Sequence, residues 1–485
     1  MLFNSLQFLV FFPSVTLLYF ILPKKLKNIC LLVASYFFYA CWNPKYVLLL
    51  LTTTLVTYCG GLIIQSASRR TKTLSLALVL AYNFCTLFLF KYYGCFFTFI
   101  EQLLAMAGIS ISFPRTAMEL PVGISFFTFQ AVGYAIDVYR KDIPAERSFF
   151  KYALFVSFFP QLVAGPIERS RTLLAQLDRT YNFDYERVRK GLLVMLWGFF
   201  LKIVLADRAA VLVNQVYGSI TAYHGLPLII ATLCFALQIY CDFMGYSTIA
   251  RGAGLVLGFS LTDNFRQPYL ANSVKDFWRR WHISLSFWLR DYLYIPLGGS
   301  RCSKLCKYRN ILLTFLASGI WHGAGLQFAV WGLLHGIFQI AEDILSPPLT
   351  RLLDSRGVDR NNFSYRLLIR LKTFCLVTFA WIFFRAGSLI LALKVIWRGL
   401  RLTNIGMFMN ESLFELGLTP FNFGMLAAGT AILLGFSLMK EKKICVMDWL
   451  SSQLAVFRFA VYWIILLMIL FSLNMTGKEF IYFQF

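Results

Sequence analysis

The sequence predicts an all-α, polytopic membrane protein, and three observations carry that reading. The chain is 59% hydrophobic and 14% charged, where a soluble domain is about 25% charged. The stretches 1–23, 46–65, 73–90, 416–439 and 459–477 contain no Asp, Glu, Lys or Arg. Each is near or above the roughly 18 residues that suggest a membrane span. Basic residues gather in alternate short connections: Lys24, Lys25 and Lys27, then only Lys45, then Arg69, Arg70 and Lys72. Positive residues favour the cytoplasmic side of such loops, so the N-terminus is expected outside.

The elements follow in order. The stretch 1–23 lacks a basic start and a small-residue cleavage site. It also exceeds the usual leader core of about 7–15 residues, so it reads as a membrane helix. Clean crossings are expected at 46–65, 73–90, 416–439 and 459–477. Segments 28–42, 123–139, 149–167, 190–205, 226–242 and 372–384 are shorter or interrupted. Some of them are expected to be re-entrant, which a membrane tolerates only where the backbone is buried or lines a wet cavity. About ten to thirteen membrane helices of about 20 residues fit the chain. No soluble domain, linker or internal repeat is visible, so 1–485 reads as one integral-membrane domain.

The net charge of +23 is assigned to topology and lipid contact. A nucleic-acid face would need base-stacking aromatics in a soluble groove, so no nucleic-acid partner is expected. The eleven cysteines lie mostly in apolar spans as small buried hydrophobes. Cys302 and Cys306 sit in a basic loop expected to be cytoplasmic, where thiols stay reduced. No Cys/His spacing suggests a metal site.

The segment 273–299, "SVKDFWRRWHISLSFWLRDYLYIPLGG", changes character. On a helical wheel Phe277, Trp281, Leu285, Trp288 and Tyr292 form one stripe, with Lys275, Arg279, Ser286 and Arg290 opposite. One amphipathic helix lying at the membrane surface is expected. Eight basic and two acidic residues from Lys275 to Arg309 place it on the cytoplasmic side.

The segment 311–341 carries no charge but holds His322 and His335, two of only four histidines. As a straight helix it would span roughly 46 Å, against a hydrocarbon core of about 30 Å. It must tilt, break or emerge, and "WHGAG" is its weakest point, because each glycine costs about 1 kcal/mol of helix propensity. Thirteen positions along one helix put the two rings on different faces. His335 is therefore expected about 20 Å beyond His322, near the opposite end. A deep imidazole beside glycines suits a general base that a substrate can approach. Its alternative role is an interhelical hydrogen bond, and for His335 helix packing is preferred. His282 borders the cationic stripe, and His224 in "AYHGLP" reads as a loop residue.

"DFWRRWHISLSFWLRDYLYIPLGGSR" followed by "GIWHGAGLQFAVWGLLHG" resembles the membrane-bound O-acyltransferase (MBOAT) family, in its bacterial polysaccharide branch. "PVGISFFTFQAVGYAIDVYR", "YALFVSFFPQLVAGPIERS", "LQIYCDFMGYSTIARG" and "FIYFQF" resemble that branch in the same order. The resemblance thus runs over most of the chain. It implies a ring of membrane helices around a central funnel. The catalytic histidine would be His322 in "WHG", and the second would be His282 in "RWHISLS". Relatives read closer to "DFSGYSDMA" where this chain has "DFMGYSTIA", so Asp242 is kept and Thr248 replaces a second acid.

The resemblance implies acyl transfer. An acyl thioester, acetyl-CoA foremost, would arrive from the cytoplasm, with no metal or resident cofactor. Arg279, Arg280 and Arg290 would attract its phosphates, unless they form a lipid-facing cationic surface. His322 would take a proton from the attacking hydroxyl or polarise the donor carbonyl. His282 and Trp321 would line the passage, and Asp242 would fix a histidine tautomer or bond between helices. A serine-esterase-like partner (SGNH type) outside the membrane would pass the group to a polysaccharide. The expected location is the bacterial inner membrane. Two rival readings are D-alanyl transfer to teichoic acid and a proton-coupled transporter or flippase.

Overall fold

A computed structural model describes residues 1–114, 119–163, 165–401, 403–408 and 411–473. The "FIYFQF" stretch and the end of the last apolar run lie outside the described residues. Within them the regular structure is helical, and no strand occurs. Among the described residues six helices are long and apolar enough to cross a membrane. Leu6–Ile21, Tyr93–Met106 and Ala455–Leu470 are shorter apolar helices. Leucines and valines stand exposed along them, such as Leu6 at 82% and Val456 at 83%. Faces of this kind are stable against lipid tails and not against water. The chain is an all-helical, multi-pass membrane protein.

The helices run α1 (Leu6–Ile21), α2 (Lys24–Ala40), α3 (Lys45–Ser66), α4 (Arg69–Lys91), α5 (Tyr93–Met106), α6 (Ile124–Arg140), α7 (Phe149–Ser157), α8 (Phe159–Leu162) and α9 (Ser170–Leu177). Then come α10 (Tyr185–Phe199), a π-turn at Phe200–Ala206, α11 (Asp207–Gly218) and the 32-residue α12 (Leu226–Leu257). After these come α13 (Val274–Arg280), α14 (Ile283–Leu289), α15 (Lys304–His322), α16 (Leu326–Ser355), α17 (Phe363–Arg385), α18 (Leu389–Gly399), α19 (Pro420–Glu441), α20 (Val446–Ser451) and α21 (Ala455–Leu470). The segment 149–167 is not one crossing: α7 stops at Ser157 and Pro160 opens the short α8, as a proline at the first turn does.

Backbone packing divides the chain into two compact units. The first holds Met1–Met195 and Tyr246–Asp263. Close approach through small residues organises it. A methyl group on Gly60 of α3 would lie 2.3 Å from Val79 of α4, and one on Gly61 2.8 Å from the Tyr134 ring of α6. Polar side chains also join its helices: the Tyr152 hydroxyl donates to Thr57 Oγ1 at 2.7 Å, and Gln161 donates to Gln130 Oε1 at 3.1 Å. Glu168, in the loop before α9, accepts from the Thr262 backbone N–H at 2.6 Å and its hydroxyl at 3.1 Å.

The second unit holds Leu196–Gly245 and the described residues from Asn264 to Leu473. Its π-turn turns Lys202 inward, 3.0 Å from Asp207 and 2.7 Å from Asp242 of α12. All three are buried. Gly245 lets α12 reach that turn, because a side chain there would meet the Gly198 carbonyl at 3.0 Å and the Lys202 N–H nitrogen at 3.1 Å.

Two expectations about this unit are corrected. The segment 273–299 is not one surface helix. Ser273 caps α13 by accepting from the Asp276 N–H at 3.0 Å, and α13 ends at Arg280. Trp281 is extended, His282 is left-handed at φ 43°, and α14 then starts at Ile283 and runs into a π-turn at Arg290–Tyr294. Phe277, Trp281, Leu285 and Trp288 are buried in protein, so the aromatic stripe forms core. The segment 311–341 breaks where the glycines predict, but it then turns back. Gly323 is extended, and α15 and α16 pack as a hairpin. A methyl group on Gly319 would lie 2.2 Å from the Phe328 carbonyl oxygen, and one on Gly332 2.2 Å from that of Phe315. His335 therefore returns alongside Phe315 and does not continue to the opposite end.

Candidate functional site

His282 and His322 reach one place from two chain breaks. His322 is the last residue of α15, just before extended Gly323. His282 is the left-handed joint between α13 and α14. Histidine, like Asn and Asp, is among the few non-glycine residues enriched in that backbone region. The joint is held from the side by Asn264. Its carbonyl accepts from the Ile283 N–H at 3.1 Å, and its Oδ1 from the Ser284 N–H at 3.2 Å. The Arg266 N–H donates to the Arg280 carbonyl at 2.9 Å, closing the other flank. Asn264 thus supplies the cap that α14 lacks from its own preceding residue.

The two imidazole centroids stand 6.5 Å apart, and their residues are 0% and 3% exposed. Trp321 lies against both, at 6.0 Å from His282 and 4.8 Å from His322. Phe243 of α12 meets His282 edge-on at 4.6 Å. Trp331 of α16 and Phe384 of α17 close on His322 at 5.0 and 5.3 Å. Behind them Trp331 stacks on Trp381 at 5.6 Å. Edge-to-face pairs of this kind are worth about 0.5–1.5 kcal/mol each beyond buried area, so the rings are held in fixed orientations. Two proton-exchanging rings in apolar walls can serve one reacting group, with bulk water kept away.

The other expected residues divide. Trp321 is in the cluster. His335 touches the far side of Trp331 at 5.1 Å, within a cage of Phe277, Trp278, Phe315 and Trp381, which suits the packing role preferred for it. Asp242 forms an ion pair with Lys202, and its neighbour Phe243 is what meets His282. Arg280 pairs with Asp276 at 3.0 Å and with Glu441 at 2.8 Å, and Arg370 joins Glu441 at 3.2 Å. Arg290 pairs with Asp291 at 2.6 Å and lies over the Phe287 ring. Arg279 is exposed. His224 accepts or shares a hydrogen bond with Arg398 in a loop, as a loop residue should. Lys202, Asp207 and Asn264 were missed. Isolated polar residues in apolar sequence were their signal, but their partners lie far along the chain.

Comparison with known proteins agrees with this architecture. The model of the membrane-bound O-acyltransferase family matches residues 37–354, an interval that holds both histidines of the cluster. A probable alginate O-acetylase of Pseudomonas aeruginosa is 38% identical over 446 residues, covering 90% of this chain and 82% of that protein. The peptidoglycan O-acetyltransferase of Helicobacter pylori is 37% identical over 430 residues, covering 82% and 79%. A teichoic acid D-alanyltransferase of Bacillus subtilis is more distant, 27% identical over 238 residues and 44% of this chain. The chain belongs to the membrane-bound O-acyltransferase family and is an O-acyltransferase.

Proposed function

We propose that the protein moves an acetyl group from a cytoplasmic thioester, acetyl-CoA, through the membrane for O-acetylation of an exported polysaccharide or cell-wall glycan. The observation that carries this reading is the His282–His322 pair, 6.5 Å apart in a tryptophan-walled core. The relatives named as alginate and peptidoglycan O-acetyltransferases support acetyl as the group and a glycan as its destination. His322 takes the proton of the attacking hydroxyl. That oxygen attacks the thioester carbonyl, a C–O bond forms, the C–S bond breaks, and the thiol leaves with a proton. His282 and Trp321 orient the acyl group. General-base action of this kind contributes about 10²–10⁴-fold.

Exposed Arg279, together with exposed Arg290 once it exchanges Asp291 for phosphate, receives the donor's phosphates. Arg280 is already committed to Asp276 and Glu441. The acceptor hydroxyl belongs to a serine-esterase-like partner outside the membrane, which passes the acetyl group to the glycan. The protein sits in a bacterial inner membrane, N-terminus outward, with lipid around its apolar faces. The test compares native cells, a gene deletion and His322→Ala at matched membrane abundance, with ester-linked acetyl on exported glycans measured by mass spectrometry. Loss in both the deletion and the variant is expected. Loss in the deletion alone removes His322 from the chemistry, and no loss in either overturns acetyl transfer to glycan.

A further inference from the structure

At the foot of the helix that ends in His322, two thiols share one buried amide. Cys302 precedes the cap residue Ser303 of α15, and Cys306 lies in its first turn. Asn310, fully buried one turn further on, points its Nδ2 at both sulfurs, 3.8 Å from Cys302 Sγ and 3.8 Å from Cys306 Sγ. The same nitrogen donates to the Gly299 carbonyl at 3.2 Å, where Cys302 Sγ also donates at 3.6 Å. Arg309 donates to Cys306 Sγ at 3.4 Å and to Asn310 Oδ1 at 3.0 Å. The shared amide nitrogen keeps the two sulfurs on the same side of the helix start. Both residues are partly exposed to solvent.

We propose that Cys302 and Cys306 form a redox-reactive thiol pair that small-molecule disulfides close into an intramolecular disulfide. N–H donors from Arg309 and Asn310 steady negative charge on sulfur during exchange. One cysteine thiolate attacks a sulfur of the external disulfide, forms a mixed disulfide and expels one thiolate. The second cysteine attacks the bonded protein sulfur and expels the other. Two protein thiols lose two electrons and two protons, and one external disulfide becomes two thiols. The basic loop that carries the pair is expected on the cytoplasmic side, so the resting state is the dithiol and the bridge marks oxidative load. The bridge ties the residue before the Ser303 cap to the first turn of α15 and removes the S–H that Cys302 donates to the Gly299 carbonyl.

The sequence supplies the readout, because Arg301, Lys304 and Lys307 place a tryptic cut between the two cysteines. The full-length protein in detergent is incubated with glutathione disulfide, blocked with N-ethylmaleimide and digested. Peptides Cys302-Ser303-Lys304 and Leu305-Cys306-Lys307 joined through sulfur are expected, and dithiothreitol should separate them. In Cys302→Ser and in Cys306→Ser the remaining thiol should instead accumulate as the glutathione mixed disulfide. Mixed disulfides at both sites of the native chain without the joined peptides overturn the proposal, as does complete N-ethylmaleimide labelling of both.

Discussion

The α15–α16 hairpin fixes where His322 stands, and Gly332→Ala tests it. The added methyl would sit 2.2 Å from the Phe315 carbonyl oxygen and 3.1 Å from Gly319 Cα. Ordinary van der Waals contact begins at 3.4 Å, so the helices must part by about 1 Å at this level. Overpacking of this kind costs about 1–3 kcal/mol. If His322 acts as proposed, the larger effect falls on chemistry, because a displacement of about 1 Å between catalytic groups can cost about 10²-fold in rate. Gly336→Ala is the matched control. Its methyl would press only on the tip of Leu312 at 3.1 Å, which rotates away, and would sit at ordinary contact distance from Phe315 Cβ at 3.5 Å and Leu312 Cα at 3.6 Å, so a near-native protein is expected. Both variants are compared by thermal unfolding in detergent, followed through tryptophan fluorescence, and by glycan acetyl content at matched abundance. Equal behaviour of the two, or native acetylation in Gly332→Ala, would refute the argument that backbone contact at this glycine places His322.

Two further outcomes follow from buried charge. Lys202→Met leaves Asp207 and Asp242 buried without the ammonium between them, and breaking such a pair costs about 3–5 kcal/mol. Most of the protein should lose its monodisperse peak in size-exclusion chromatography. The triple variant Lys202→Met, Asp207→Asn, Asp242→Asn should recover much of it, and a native-like single variant would contradict the ion-cluster reading. At Glu168, burial pushes the carboxyl up to about 7 despite the hydrogen bonds from Thr262 and the nearby Arg251, against about 4.3 in an unfolded chain. The folded protein therefore holds this proton more tightly than the unfolded chain. Its contribution is complete below about 4.3 and is lost as pH rises through about 7, on the order of 4 kcal/mol in all. Native melting temperature should fall across that window, and Glu168→Gln should flatten the fall. An unchanged slope in the variant would exclude Glu168 as its source.

The sequence made legible what depends on local pattern. Apolar runs located α1, α3, α4 and α19, and paired glycines located the break after His322. The wheel drawn through 273–299 assumed a continuous helix, and nothing local announces the joint at His282, because Asn264 makes it from outside the segment. His335 was misplaced for a related reason. A glycine break says that a helix stops, whereas the return of α16 along α15 depends on Gly319 and Gly332 facing each other, which only the folded pair reveals. The Lys202–Asp242 pair joins residues forty positions apart in sequence, a distance at which pattern carries no register. Charge alone marks the arginines as anion sites, and Glu441, which neutralises Arg280 from α19, cannot be assigned to it by spacing.

The left-handed joint places two separate demands on position 282. Its backbone needs a residue that tolerates φ 43°, and its ring is a group the proposed chemistry uses. Alanine fails both at once, since a residue with only Cβ gains nothing from the left-handed region and costs roughly 1–2 kcal/mol there. Any loss seen in His282→Ala therefore mixes a twisted chain with a missing imidazole. Asparagine meets the first demand and not the second. His282→Asn is thus the substitution that reports on the imidazole alone, and the difference between the two variants measures how much of the position's value lies in the shape of the chain.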